Sequence, residues 1–500
     1  MERAYMQYFQ PKPGYYVGDC MPFYHDGIFH LFYLLDEGHH QGKGGLGGHQ
    51  WAHCSSRDLV HWKHHPLAVP LEEDWEGSIC TGSTFYDKGQ YHAFYATRKP
   101  DHTQHLSHAV SDDCIKFRKL TPNPFASSLP GFSPKDCRDP FIFKDETGRY
   151  NMLVTSKIEQ YPLHDRGGCL LRYTSKDLST WKFEGIFLIP VGGTGWGGIP
   201  ECPDHFFWKG WYYLLFGIGL QTFYRMSKKP FGPWQRPQVD VLDSHLNAVM
   251  KTAPFGKNRR IGVGWIGPRK DNKDSEWMLW GGQTVFREII QNRDGTLGVR
   301  FLKEMIPSGK AVKTSLRRLT SGAKCKGKSV ELISKLPKVG RFLRNRRFNT
   351  DGSESHPYLE FGNFEIASVE LNAAEKLEVA AFENLPMNYN LNCVVRPKKN
   401  SYFFGFGLRG SGNYESKFDF NFDCHRNSIS LGKETILSTV DLGRPFKLEI
   451  ILKDDIIDIC IDNRQCIINR CHELKGNSLF LACQNGVVRF EKIEIQSLCS

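Results

Sequence analysis

A five-bladed β-propeller followed by a C-terminal β-sandwich is the fold class predicted by the sequence, and three observations predict it. Between residues 1 and 300 an aromatic-rich hairpin recurs in five related units. Units of roughly 50–65 residues holding several short strands are the signature of propeller blades, because one blade cannot bury both of its faces alone. A second, outer pattern recurs with the hairpins: Ser56-Arg57-Asp58-Leu59-Val60-His61-Trp62 and Ser175-Lys176-Asp177-Leu178-Ser179-Thr180-Trp181 match closely, and Ser227-Lys228-Lys229-Pro230-Phe231-Gly232-Pro233-Trp234 is a looser copy. From about Asp351 the character changes to short strands, such as Tyr402 to Leu408, Phe446 to Leu452 and Ile456 to Ile461, separated by turns such as Lys453-Asp454-Asp455.

The hairpins follow in order. The first runs from Asp19-Cys20-Met21-Pro22-Phe23-Tyr24 through an Asp26-Gly27 turn to Phe29-His30-Leu31-Phe32-Tyr33. The second joins Ser83-Thr84-Phe85-Tyr86 through Lys88-Gly89 to Tyr91 to Tyr95, and the third joins Arg138-Asp139-Pro140-Phe141-Ile142-Phe143 through Thr147-Gly148 to Tyr150 to Val154. The fourth joins Glu201-Cys202-Pro203-Asp204 and its aromatic run through Lys209-Gly210 to Phe216, and the fifth joins Ala253-Pro254-Phe255 to Ile261 to Trp265. In a propeller the equivalent strand of every blade lines the axis, so Asp19, Asp139 and Glu201 are expected to converge at one phase of the repeat. The outer tryptophans are expected to pack blade on blade. Residues 1–300 thus form the propeller, 301–350 a basic linker or interface segment, and 351–500 the sandwich.

Composition narrows the function. The N-terminus lacks a secretory leader's basic start and apolar stretch, and no run of about 18 apolar residues offers a membrane span. The 15 cysteines are dispersed without a C-x-x-C pair, as buried free thiols are in a reducing compartment. A cytoplasmic protein with no membrane partner is expected. The formal charge of +11 concentrates between Lys303 and Arg347, away from the acidic propeller segments. This is the pattern of a solvated connector or interdomain surface, with a polyanion patch as the alternative, and no nucleic-acid partner is expected. Histidines cluster at 39, 40, 49, 53, 61, 64 and 65 around a glycine-rich loop, but none shows a recognisable ligand spacing with a third ligand. They read as polar lining of a pocket rim; neither metal nor cofactor is expected.

Three carboxylates gathered around one basic residue, Arg138, point to chemistry, because like charges held close raise one another's pKa. Two carboxylates flanking an acetal carbon suffice for glycoside hydrolysis, and a third can bind ring hydroxyls. Glu201, with the longer side chain, is the candidate general acid/base; Asp19 is the candidate nucleophile. Asp139 is the candidate acceptor for sugar hydroxyls, with Arg138 steering it.

Arg138-Asp139-Pro140, Glu201-Cys202-Pro203-Asp204 and the run Trp51 to Trp62 together resemble glycoside hydrolase family 32, the invertase, levanase and inulinase group. The family's R-D-P, E-C-P-D and W-G-H-A-x-S-x-D-L-x-H-W motifs match in order, with Ala52 and Cys54 as departures, and Cys80-Thr81-Gly82-Ser83 is similar to its substrate-touching F-S-G-S element. The resemblance implies a propeller joined to a sandwich, and a retaining hydrolase of terminal β-fructofuranosyl units acting through a fructosyl intermediate on Asp19. It adds Trp51, Cys80, Thr81, Cys202 and Trp280 to Arg138 as candidate substrate-binding residues, with Cys202 either setting the acid's environment or simply packing. A small carbohydrate is the expected partner; the oligomeric state is left open.

The departures bear on specificity. The family's W-M-N-D-P-N-G block reads Tyr16-Val17-Gly18-Asp19-Cys20-Met21-Pro22 here, and Leu34 stands where its F-Y-Q-Y-N-P segment has Gln. Two polar sugar contacts are thus replaced, which leaves open an unusual fructoside or an arabinofuranoside, and transfer to a sugar acceptor rather than water. A carbohydrate-binding propeller without catalysis is the non-enzyme alternative.

Overall fold

The hairpin turns form as their residues dictate. At Asp26-Gly27, Lys88-Gly89 and Lys209-Gly210 both residues of the two-residue loop have φ between 46° and 86°. That is the left-handed turn whose twist matches the flanking strands, and glycine at its second position takes it without cost. The computed structural model describes residues 6–161, 163, 167–190, 198–307, 309–312, 314–320, 323–326, 358–361, 366–373, 376–398 and 400–498. The chain divides into two units, one of 1–270 with 277–305 and one of 271–276 with 306–500.

The first unit is a five-bladed propeller. Blade 1 contains β1 (Tyr15–His25), β2 (Ile28–Glu37), β3 (Gln50–Ser56) and β4 (Trp62–His64). Blade 2 contains β5 (Ser78–Asp87), β6 (Gln90–Arg98), β7 (Gln104–Ser111) and β8 (Arg118–Lys119). Blade 3 contains β9 (Arg138–Lys144), β10 (Tyr150–Ile158), β11 (Gly167–Ser175) and β12 (Lys182–Leu188). Blade 4 contains β13 (Glu201–Trp208), β14 (Trp211–Ile218) and β15 (Gln221–Ser227), and bridges at Gln235 and Val241 cover its outer edge. Blade 5 contains β16 (Ala248–Phe255), β17 (Arg259–Ile266), β18 (Gln283–Gln291) and β19 (Leu297–Arg300). The ring closes where the N-terminal segment lies along β18: Tyr8 donates its amide to Thr284 O at 2.9 Å, and Thr284 returns one to Phe9 O at 3.0 Å.

Rings at the outer edge pack blades 1 to 4 each against the blade before it. Trp62 of blade 1 meets Phe286 of blade 5, Phe117 of blade 2 meets Phe32 of blade 1, Trp181 of blade 3 meets Phe94 of blade 2, and Trp234 of blade 4 meets Phe187 of blade 3. Their shared turns have one mechanism. Ser56 Oγ and Ser175 Oγ accept the Leu59 and Leu178 amides at 2.8 and 3.0 Å, and the Asp58 and Asp177 carboxylates accept the next two.

The second unit is a β-sandwich. Its strands are β20 (Gly309–Ala311), β21 (Thr314–Arg318), β22 (Ala323–Lys326), β23 (Tyr358–Phe361), β24 (Ile366–Ala373), β25 (Glu378–Glu383), β26 (Tyr389–Pro397), β27 (Phe403–Ser411), β28 (Ser416–Asp423), β29 (Ser428–Leu431), β30 (Glu434–Leu437), β31 (Phe446–Lys453), β32 (Ile456–Ile461), β33 (Gln465–Arg470) and β34 (Ser478–Leu498). The first part of β34 pairs with β25 and β27; beyond Gly486, at φ 103°, the strand pairs with β24 and β26. One strand thus belongs to both layers, as at sandwich corners. Between the layers lie the apolar sides of β26–β33, including Leu391, Phe406, Phe420, Ile450 and Ile459.

The 301–350 segment differs from the expected connector. Its described part supplies β20, β21 and β22, which pair with β34, with β23 and β25, and with β24, so it belongs to the sheets. The neighbours Ser315 and Leu316 are both buried there, and backbone pairing prevails over the density of surface lysine and arginine. The basic run at 341–347 lies outside the described residues. The 13 cysteines whose side chains are described are free thiols, and 12 of them are buried. Among the described residues no helix is long and apolar enough to cross a membrane.

Candidate active site

The inner strand of every blade carries the same irregularity. Two residues face one on the partner strand at Gly18-Asp19, Cys80-Thr81, Asp139-Pro140, Cys202-Pro203 and Val249-Met250. Such a β-bulge turns side chains out of the pleat, here in all five blades. Asp139, Cys202 and Val249 pay with left-handed φ of 54°, 52° and 44°, a conformation unfavourable for residues carrying a Cβ. The sequence pattern placed the three acids at one phase of the repeat. In fact they take successive positions: Glu201 precedes its bulge, Asp139 is first in its own, and Asp19 is second. Convergence comes from the bulge, which gathers neighbouring positions onto the axis.

Each acid has a different environment. Asp19 is held by three donors: Thr81 Oγ1 at 2.7 Å and Cys202 Sγ at 3.6 Å on Oδ2, and Trp265 Nε1 at 3.1 Å on Oδ1. Both oxygens are fixed in direction, yet the residue is only half-buried. Asp139 is buried, and its Oδ2 accepts the Cys202 amide at 3.0 Å. Thr155 Oγ1 lies 3.3 Å from the same oxygen and 2.8 Å from Pro200 O, with one proton for the two. Burial raises the Asp139 pKa above the usual carboxylate range, against the pull of Arg138.

Glu201 keeps 34% of its side chain exposed and takes Arg138 Nη2 on Oε1 at 3.0 Å. Protein surrounds the carboxyl on its other sides, and this burial pushes the pKa up to about 7; Arg138 holds it down, and Asp139 and Asp19 add to the rise. The acid therefore carries a proton near neutrality, as a general acid requires. Arg138 itself bridges Glu201 and Asp136, while Asp139 lies 3.8 Å from its Nε. It orients the acid more closely than the residue it was expected to steer.

The other candidates separate. Thr81 and Cys202 are in the site: burial, followed by Asp139 and Asp19, pushes the Cys202 thiol well up, so it remains a donor to Asp19. Trp280 presses its ring edge against Gly18, where an added Cβ would stand 2.2 Å from Cη2. Cys80 is buried and turned toward Ser78 O. Trp51 requires correction as a substrate contact: it is fully buried between Phe32 and Tyr95, and its indole N–H is taken by Cys80 O at 2.9 Å. Its ring has no face left for a sugar. Asp204 is also structural, accepting the Thr252 amide at 2.8 Å to tie blade 4 to blade 5.

Sequence reasoning missed Lys251, a buried cation within electrostatic reach of Asp139 and Cys202 whose Nζ donates to Gly82 O at 2.8 Å. It stands one position after the fifth bulge, where blade 4 has Asp204. Aligning the five inner strands by their bulges finds it. Trp265 and Thr155 come from second strands, and no single-strand motif marks them.

Comparison with known proteins agrees with this geometry. Residues 8–298 match the family described as Glycosyl hydrolases family 32 N-terminal domain. An acid β-fructofuranosidase of Vicia faba is 30% identical over 208 residues, which cover 40% of this chain and 30% of the relative. A levanase of Bacillus subtilis is 26% identical over 310 residues, 56% of this chain and 43% of the relative. The matched stretches thus span less than half of these relatives' length. Among solved structures, fructan 1-exohydrolase IIa of Cichorium intybus superposes with a TM-score of 0.69 at 16% identity, covering 100% of this chain and 98% of that one. An exo-inulinase of Aspergillus awamori gives 0.66 at 17%, covering 100% and 99%. At these identities the structures share the fold.

Proposed function

The chain belongs to glycoside hydrolase family 32, and from that premise we propose that it is a retaining, exo-acting glycosidase releasing terminal β-fructofuranosyl units from sucrose-type oligosaccharides or fructans. The observation that carries the reading is the ring of bulges, which brings a hydrogen-bonded Asp19 and a Glu201 with its pKa near 7 to one half-open centre. Asp19 attacks the anomeric carbon while Glu201 gives its proton to the departing glycosidic oxygen, leaving a fructosyl ester on Asp19. Glu201, now a carboxylate, takes a proton from water as that water attacks the same carbon and frees Asp19. Asp139, with one carboxylate oxygen already fixed by Cys202, presents the other to ring hydroxyls. Arg138 keeps Glu201 in place through both steps, and Thr81, Cys202 and Trp265 hold the nucleophile's oxygens in line.

The substrate wall beside Asp19 sets this chain apart. Gly18 offers no amide side chain, Leu34 is buried, and Trp280 occupies the room next to both. A sugar presenting an apolar edge there is favoured over one needing a hydrogen bond. The decisive experiment incubates the protein with sucrose, short inulin and levan oligomers, and arabinofuranosides, then examines the acid-quenched protein by peptide mass spectrometry. A furanosyl adduct on the Asp19 peptide, with retained configuration in the first-formed product, is expected. Turnover with inverted product, or an adduct elsewhere, would sink the assignment; turnover of arabinofuranosides alone would revise the sugar and keep the mechanism.

A further inference from the structure

We propose that Asp36, His40 and His49 form a binding site for one divalent transition-metal ion of the zinc class, beside the sugar site and separate from its chemistry. The three residues lie at the end of β2, in the loop that follows, and just before β3, a spacing that matches no ligand motif. Geometry joins them. Gly38, His39 and His40 have φ of 59°, 58° and 70° in succession, and this left-handed run folds the His40 ring back over Asp36. His49 Nε2 lies 2.8 Å from Asp36 Oδ1 and 2.8 Å from His40 Nδ1, and His40 Nδ1 lies 3.8 Å from Asp36 Oδ1.

Proton counting shows why this is more than a hydrogen-bonded cluster. Two partners address the same nitrogen, His49 Nε2. With a proton on that nitrogen, one N–H is divided between Asp36 and a His40 lone pair. With the proton on His40 Nδ1, the His49 lone pair faces the carboxylate at 2.8 Å. Asp36 Oδ1 also accepts the His40 amide at 3.0 Å, but the first arrangement stretches one N–H over two acceptors and the second sets a lone pair against a carboxylate. A cation suits all three atoms, since three ligands each about 2.0–2.2 Å from a tetrahedral ion stand roughly 3.4 Å apart, a separation that falls between the observed edges.

A second observation points to the same occupant. Asp36 is fully buried, its Oδ2 has no hydrogen-bond partner, and its ion-pair partners among the described residues are these two histidines. Burying a carboxylate is costly; His49 at 2.8 Å offsets part of that cost, and a metal would add a full positive charge at the same place. Both rings are held in place: Trp280 stacks on His40 at 3.9 Å and on His49 at 4.9 Å. His40 keeps a third of its side chain exposed, which gives an entry path and room for water as a fourth ligand. Neutral imidazoles and one carboxylate suit zinc or cobalt better than calcium or magnesium, which take oxygen ligands.

The test uses the full-length protein treated with chelator and dialysed, then titrated with Co²⁺ and with Zn²⁺. One equivalent of Co²⁺ is expected to bind with the visible d–d bands of a four-coordinate ion, and Zn²⁺ to displace it. His40→Ala, a partly exposed position, is expected to weaken Zn²⁺ binding at least tenfold with an unchanged circular dichroism spectrum, while His61→Ala at the outer edge binds as wild type. Absence of stoichiometric binding by the wild type would overturn the proposal, as would His40→Ala binding equally well. Should His40→Ala fail to fold, carbethoxylation of His40 in the wild type replaces it. Protection by Zn²⁺ supports the site, and equal modification with and without metal refutes it.

Discussion

The hub of the propeller and the apolar core of the sandwich are both antiparallel β-structure, and they bury different groups at their centres. The hub encloses charge: Asp139 and Lys251 are buried there, and Asp243 and Arg287, fully buried nearby, pair at 2.7 Å. Its inner strands are bulged in every blade. The sandwich has register shifts of its own, as at Leu408–Ser411, but around its core the pairing is regular: Phe404 faces Phe422 and Phe406 faces Phe420 across β27 and β28, with rings stacked at 5.3 and 5.6 Å. The difference teaches where function can reside. A regular apolar core fixes one structure through many replaceable contacts, whereas the hub stabilises few groups and aims them.

The largest expected effect breaks the comparison at its centre. Glu201→Gln removes the proton donor while keeping its shape, and kcat should fall by roughly 10²–10⁴-fold with thermal stability close to wild type. Phe406→Ala, at 1% exposure in the sandwich, should do the reverse: a loss of about 3–5 kcal/mol in urea unfolding, with kcat per folded molecule unchanged. Similar activity in wild type and Glu201→Gln would mean that the hub's charges serve folding alone.

Next in size is packing beside the nucleophile. A side chain at position 18 collides with Trp280, so Gly18→Asn should cost about 1–3 kcal/mol by overpacking. With Trp280→Ala the room opens, and the double variant should be markedly more stable than the sum of the two single losses. Additive losses in a denaturation cycle would show that the ring does not fill that space. The same double variant tests specificity, because it restores a polar side chain where the sugar passes.

The pH profile sharpens the electrostatic side. Glu201 acts as an acid, so the basic limb of kcat/KM should lie near its pKa of about 7. Arg138 lowers that pKa and Asp139 raises it; Arg138→Gln should therefore move the limb upward and Asp139→Asn downward, read on residual activity. Stability follows with a definite sign. Folding raises the Glu201 pKa from 4.5 to about 7, so the protonated acid's favourable contribution is complete below pH 4.5 and lost above pH 7. Glu201→Gln should abolish that slope.

Much of this contrast was legible in the chain, for identifiable reasons. The sandwich announced itself because its strands, such as Phe446 to Leu452, alternate or run apolar between turns. The hub announced itself through acids followed by proline before aromatic hairpins, and through Thr81 and Cys202 in their motifs. Legibility stopped where the third dimension intervened. Lys251 lay outside the fifth hairpin as drawn from Ala253, because the bulge starts four residues earlier. Trp265 and Thr155 enter from neighbouring strands. Trp51 belongs to a matching motif, yet the register of β3 points it into the core. Asp36, His40 and His49 meet only because three successive residues turn left-handed.

The smallest expected effect lies at the propeller's outer edge. Ser56 is buried, and its hydroxyl accepts the Leu59 amide at 2.8 Å and the Asp58 amide at 3.2 Å while donating to Asp58. Ser56→Ala leaves those amides to the Asp58 carboxylate and to water, which limits the loss to about 1 kcal/mol. The turn also carries Trp62, whose ring packs on blade 5, so any larger loss would reach the closure of the ring. Hydrogen exchange distinguishes the two outcomes. Faster exchange confined to residues 56–62 is expected, with kcat unchanged; exchange spreading to Tyr8 and Thr284 at the seam would show that this turn helps to close the propeller, and that the hub's geometry depends on its outer edge.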